Sequence, residues 1–269
     1  MEHETRGHTD HHQHDETHPK KREGLSVPLA IIFAGMLVAG AIIFSDNTQS
    51  ATAFKNLSVV AQPREQADTG AGDLAPLDEL ALRPDDHVFG NPNADVLVIE
   101  YSDTECPFCK QFHGTMLEIM DQYGKAGNVA WVYRYFPLDQ IHPKARKEAE
   151  AMKCANELGG NDAFWKYVDR IFEVTPANNG LDLAELPVIA ETIGLNVEEF
   201  NACLSSGKYA DRVQKDFESG ASIGVRGTPY TVVWNKKTGK QMPIGGAAPF
   251  NNVKNTLDTI MEPEVGSTE

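Results

Sequence analysis

The 269-residue sequence is short of positive charge: Lys and Arg number 24 against 39 Asp and Glu, a formal net charge of -15. A chain so balanced has no basic face to neutralise a phosphate backbone, which excludes nucleic acid as a partner. Cysteine is scarce, four in all. That is too few for a disulfide-framed miniprotein, so each cysteine must be explained by its place. No unit recurs at a fixed period, which excludes solenoids and propellers. The single C-x-x-C has no second C-x-x-C or His cluster to complete a zinc site, so no metal site is expected there. What remains, 41 % hydrophobic and 23 % charged, can bury a core.

The composition is uneven along the chain. Residues 1–24 hold six of the nine histidines (His3, His8, His11, His12, His14, His18) among acids, Thr and Gly, and read as a disordered tail. Weak metal capture by neighbouring imidazoles is its alternative role. Residues 25–44, LSVPLAIIFAGMLVAGAIIF, carry no charge and at about 1.5 Å per residue would span about 30 Å, so a transmembrane signal anchor is expected. Lys20, Lys21 and Arg22 just before it place the N-terminus in the cytoplasm and the C-terminal part outside, as a single-pass protein of the cell membrane held by the lipid bilayer through 25–44. Ala51-Thr52-Ala53 leaves open a cleaved signal and a secreted or periplasmic product. Residues 45–84 read as a flexible tether with a short helix near Leu74 to Leu82, and 85–269 as one folded domain.

Within that domain Val96 to Tyr101 is an apolar run suited to a buried strand, and Asn128 to Phe136 is β-rich. Cys106-Pro107-Phe108-Cys109 opens a helical stretch between them, giving a βαβ unit with parallel strands. Helical patterns then fill residues 143–222: Lys144 to Leu158, Asp162 to Val174, Leu183 to Ile193, Val197 to Leu204 and Ala210 to Ser219. Strands return at Pro229 to Trp234 and Gln241 to Ile244, before a last helix over Pro249 to Met261.

A C-x-x-C at a helix start has a chemical logic. Unpaired backbone N–H groups and the positive end of the helix dipole stabilise a thiolate on the first cysteine, and Pro107 suits the first turn because its missing N–H costs nothing there. The second sulfur, one turn on, can close a disulfide or resolve a mixed one. Asp103 and Glu105 add negative charge nearby, which is expected to oppose the thiolate at Cys106.

The stretches FGNPNADVLVIEYSDTECPFC, FPLDQIHPKARKEAEAMKCANELGGNDAFWKYVDRIF and EEFNACLSSGKYADRVQKDFESGASIGVRGTPYTVVW together resemble the DsbA-like thiol-disulfide oxidoreductases of the thioredoxin superfamily, in particular their membrane-tethered branch. The resemblance covers nearly all of residues 85–262 and rests on CPFC joined to Gly227-Thr228-Pro229 across the helical stretch. It implies an α/β thioredoxin-like fold with an inserted helical subdomain at about 143–222, preceded by one transmembrane helix. Cys106 would be the nucleophile, Cys109 its buried partner, Pro229 the cis-proline beside the disulfide, and Thr228 the residue that binds substrate backbone. Glu100 matches a buried acid that helps move protons at the second cysteine; strand alternation leaves open whether it faces inward or outward. Phe108 departs from the histidine of the strongest oxidants. Cys154 and Cys203 are expected to form a structural disulfide, with two buried free thiols as the alternative.

The implied activity is thiol-disulfide exchange without a cofactor, introducing disulfides into secreted or envelope proteins, with reduced or misfolded exported proteins as clients and a DsbB-like membrane redox partner. A reductase or isomerase on the same fold, and a non-catalytic metal-binding adaptor using the His-rich tail, are the other readings.

Overall fold

The computed structural model describes residues 75–263. The tail at 1–24, the apolar segment at 25–44 and most of the tether lie outside the described residues. Five strands form one mixed sheet: β1 (His87–Gly90), β2 (Val96–Ser102), β3 (Val129–Tyr135), β4 (Tyr230–Asn235) and β5 (Gln241–Gly245), in the order β1-β3-β2-β4-β5. β2 and β3 run parallel, joined through α2 (Pro107–Ile119), and every other pairing is antiparallel. Between β3 and β4 lie α3 (Ala145–Val174), α4 (Glu185–Thr192), α5 (Val197–Ser206) and α6 (Ala210–Ser222); α7 (Phe250–Met261) follows β5.

β2 is central, and all seven of its residues are buried, as a strand covered on both faces requires. Val96 and Val98 join one core with Phe112, Met116 and Ile119 of α2, and with Val253, Leu257 and Ile260 of α7. Leu97, Ile99 and Tyr101 join a second core with Leu80. Apolar residues at 109, 112, 116 and 119 give α2 one buried stripe. Each such side chain is worth about 1.5–3 kcal/mol on burial, against about 1 kcal/mol net for a hydrogen bond, so packing decides where this helix lies.

α3 is two helices joined across a kink, as the break expected between Leu158 and Asp162 required: Gly160 sits between them at φ 72°, ψ -168°, a conformation closed to residues with a Cβ. α5 starts on the Asn196 side chain, which accepts from the amides of Glu198 and Glu199, and ends at Gly207 in the left-handed region. α6 then returns to the sheet at very close range: a Cβ on Gly220 would sit 2.7 Å from the Phe136 ring and 2.8 Å from the Tyr101 ring.

Two expectations need correction. Residues 75–84 are part of the folded unit rather than tether. α1 (Leu77–Leu80) buries Leu80 completely, and Arg83 reaches Asp216 at 2.8 Å and Ser219 at 2.5 Å. Arg134, fully buried on β3, pairs with Asp86 at 2.9 Å and donates to the Ala81 carbonyl. The membrane location is the second. Among the described residues no helix is long and apolar enough to cross a bilayer. The longest, α3, is studded with Arg146, Lys147, Glu148, Glu150 and Lys153 and breaks at Gly160. The single-pass location expected from 25–44 thus finds no spanning helix among the described residues, and 25–44 itself lies outside them.

Candidate active site

Cys106 is the N-cap of α2, with extended backbone (φ -79°, ψ 120°), and Pro107 takes the first helical position. Its sulfur thus lies at the end of the helix where amides are unpaired. Across from it the Thr228-Pro229 peptide bond is cis, and the Cys106 thiol donates to the Thr228 carbonyl at 3.4 Å. Cys106 and Cys109 are both buried free thiols. The Cys109 thiol hydrogen-bonds to Cys106 and lowers the Cys106 pKa to about 6, against the opposing effect of burial; the Thr228 hydroxyl and the amides of Cys109 and Phe108 add to the lowering. Cys109 goes the other way, raised well above the ordinary thiol value by burial and by its place beside Cys106 and Glu100. The pair is thus split into a thiol that ionises readily and one that holds its proton.

Glu100 faces inward. It lies on the same side of β2 as Val96 and Val98, opposite Tyr133 of β3 and Thr231 of β4, and is 1 % exposed. Burial raises its carboxyl to about 7, against the nearby Ser102 hydroxyl and the Trp131 indole; the indole donates to Oε2 at 2.9 Å. Glu100 and Cys109 therefore both hold their protons more tightly than usual, close to one another, because charge on either is costly in this dry interior.

Asp103 and Glu105 do not act as expected. Both are buried, and both are committed elsewhere. Asp103 accepts from the amides of Glu105 and Leu138 at 2.8 Å each and pairs with His142 at 3.0 Å, while its own amide donates to the Cys109 sulfur at 3.4 Å. The Glu105 carboxylate accepts from the amides of Gly180 and Leu181, in a loop where Ala177, Asn178 and Asn179 all have positive φ. Glu148 of α3 sits beside it with its carboxyl raised to about 9 by burial and by Glu105. These acids tie the helical insertion to the residue before the nucleophile instead of lining the site.

Phe108 is 60 % exposed beside the two sulfurs. Cys154 of α3 and Cys203 of α5 form a disulfide, far in sequence from the CPFC pair. Among the described residues no group of three His, Cys, Asp or Glu is placed to hold a metal. Sequence reasoning missed Trp131 and Ser102. The signal for both was weak: Trp131 stands opposite Val98, one face-equivalent position from Glu100 along β3, which only the parallel register reveals.

Comparison with known proteins gives the same picture. A thioredoxin family model matches residues 82–244. Crystallised Pseudomonas aeruginosa DsbA2 is 26 % identical with a TM-score of 0.57, covering 69 % of this chain and all of that one. Wolbachia pipientis alpha-DsbA1 (24 % identity, TM-score 0.59, 68 % of this chain and 94 % of that one) and oxidised Bacillus subtilis BdbD (22 %, 0.57, 65 % and 91 %) share the fold. Among curated proteins, Na(+)/H(+) antiporter NhaA 3 of Salinispora tropica is 35 % identical over 151 residues, 56 % of this chain; the match spans only 22 % of that protein's length. With the CPFC pair and the sheet order in place, the chain belongs to the thioredoxin family and resembles its DsbA-like members.

Proposed function

We propose that the protein introduces disulfides into exported client proteins, with Cys106 as the exchanging nucleophile. A client thiolate attacks Cys106 in the oxidised Cys106-Cys109 pair, and Cys109 leaves as a thiolate that takes up a proton. The second client thiol then displaces Cys106, leaving the client oxidised and the pair reduced. Thr228 and Pro229 would hold the client backbone beside the sulfur. A redox partner, DsbB-like in role, would accept electrons from the reduced pair.

The observation that carries the oxidising direction is the lowered pKa of Cys106, about 6. Whatever stabilises the thiolate stabilises the reduced form, and an exchanger whose reduced form is stabilised is the better oxidant. The direction of the shift, below the ordinary thiol value, is the one an oxidant needs. The Phe108 ring offers the sulfur no side-chain donor, so the lowering comes from Cys109, Thr228 and the amides at the helix start. The test is the reduction potential of the pair in glutathione buffers. A value above about -200 mV supports the oxidase, and one near the thioredoxin level of about -270 mV overturns it in favour of a reductase.

A further inference from the structure

Every disulfide exchange at this site moves a proton on or off Cys109, and Cys109 is sealed from water. Glu100 is the carboxylate whose charge acts on it, yet no hydrogen bond joins the two among the described residues. Ser102 lies two residues beyond Glu100 on the same face of β2 and is 2 % exposed. The next amide, that of Asp103, already touches the Cys109 sulfur. The Ser102 hydroxyl has no settled hydrogen-bond partner, an unusual state for a buried polar atom. It is nonetheless close enough to Glu100, Cys109 and the Tyr133 hydroxyl to lower the pKa of all three. On its flank, the narrow space bordered by Tyr133, Tyr135 and Met152 has no room for a water molecule.

We infer that the Ser102 hydroxyl is the proton relay between Glu100 and Cys109, a role that rests on the proposed chemistry of Cys106. A hydroxyl both donates and accepts and can rotate between partners, so a settled bond to either neighbour is not what a relay needs. In the resolving step the Cys109 S–H proton passes to the Ser102 oxygen as the Ser102 proton passes to the Glu100 carboxylate. Ser102 ends as it began, and Glu100 is protonated. The Cys109 thiolate attacks Cys106, forming the Cys106-Cys109 bond and breaking the bond from Cys106 to the client, which leaves as a thiolate. In the opposite direction the proton returns by the same route. The ionisable groups that face this path are Glu100 on β2, Cys106 and Cys109 on α2, and Tyr133 and Tyr135 on β3; the Trp131 indole is the neutral donor beside them.

The test uses the reduced full-length protein and an aryl disulfide that liberates a coloured thiolate. Cys106 attack releases the first equivalent and Cys109 attack the second, so the two steps are seen separately. Ser102→Ala should slow the second release about tenfold and shift its pH midpoint, leaving the first unchanged, and Ser102→Thr should restore it. Glu100→Gln should slow the second release as well, and combining it with Ser102→Ala should add nothing, because both sit on one path. A second release in Ser102→Ala with wild-type rate and pH midpoint, or additive losses in the double variant, overturns the relay. Absence of a fast first release in the wild type, or its survival in Cys106→Ser, overturns the reading of Cys106 itself.

Discussion

The Trp131 indole donates to Glu100 Oε2 at 2.9 Å across two neighbouring strands, with neither residue exposed to water. The bond serves the charged carboxylate best, so it opposes the burial that raises Glu100 to about 7. Glu100 ionises at about 4.5 in an unfolded chain and about 7 in the folded one, and stability therefore falls as pH rises through that window. Trp131→Phe removes the donor and should steepen the fall. Its cavity cost is the same at every pH, whereas the lost bond costs an additional ~1.5–3 kcal/mol only where Glu100 is ionised. Denaturant unfolding of the oxidised protein at pH 5 and pH 8 reads this difference; an equal loss at both would show that the indole only fills space.

The Cys154-Cys203 bridge closes a loop with a sequence separation of 49. In the chain-entropy model that is worth ~4 kcal/mol, or about 10 °C in Tm for a domain of this size. The double variant Cys154→Ala, Cys203→Ala should melt lower by that amount. Its exchange rate at 25 °C should match wild type, since neither sulfur takes part at the CPFC site. Thermal scans paired with client oxidation rates check both halves of the expectation.

Asp86 and Arg134 are both out of water, and Asp86 also receives Arg212 at 3.3 Å. Removing the carboxylate by Asp86→Ala leaves a buried guanidinium without its main counter-charge, at a cost of about 3–5 kcal/mol. The variant should unfold at markedly lower urea. Limited proteolysis should then cut first near residues 75–84, because Arg134 also holds the carbonyls of Glu79 and Ala81. Unchanged urea stability would mean that the network contributes geometry without energy.

Much of the site was legible because its signals are local. Pro107 after Cys106, the apolar spacing of α2 and the β-rich runs on either side all lie within one crossover unit. The side of Glu100 was not legible, because β2 is buried on both faces and alternation of burial vanishes there. β1 was missed: His87–Gly90 is four residues long and owes its extended form to antiparallel pairing with β3. Residues 75–84 read as tether because their anchors, Arg134 and Asp216, are more than fifty residues away. Asp103 and Glu105 misled for a related reason: their charge was visible, but the amides and the His142 ring that absorb it come from distant loops.

Gly220 sets a limit on how this molecule can vary. With less than 3 Å between its missing Cβ and two aromatic rings, the return leg of the insertion has no spare atom, and any larger residue there must push α6 off the sheet. A descendant that keeps α6 seated on the sheet must therefore keep a bare hydrogen at position 220.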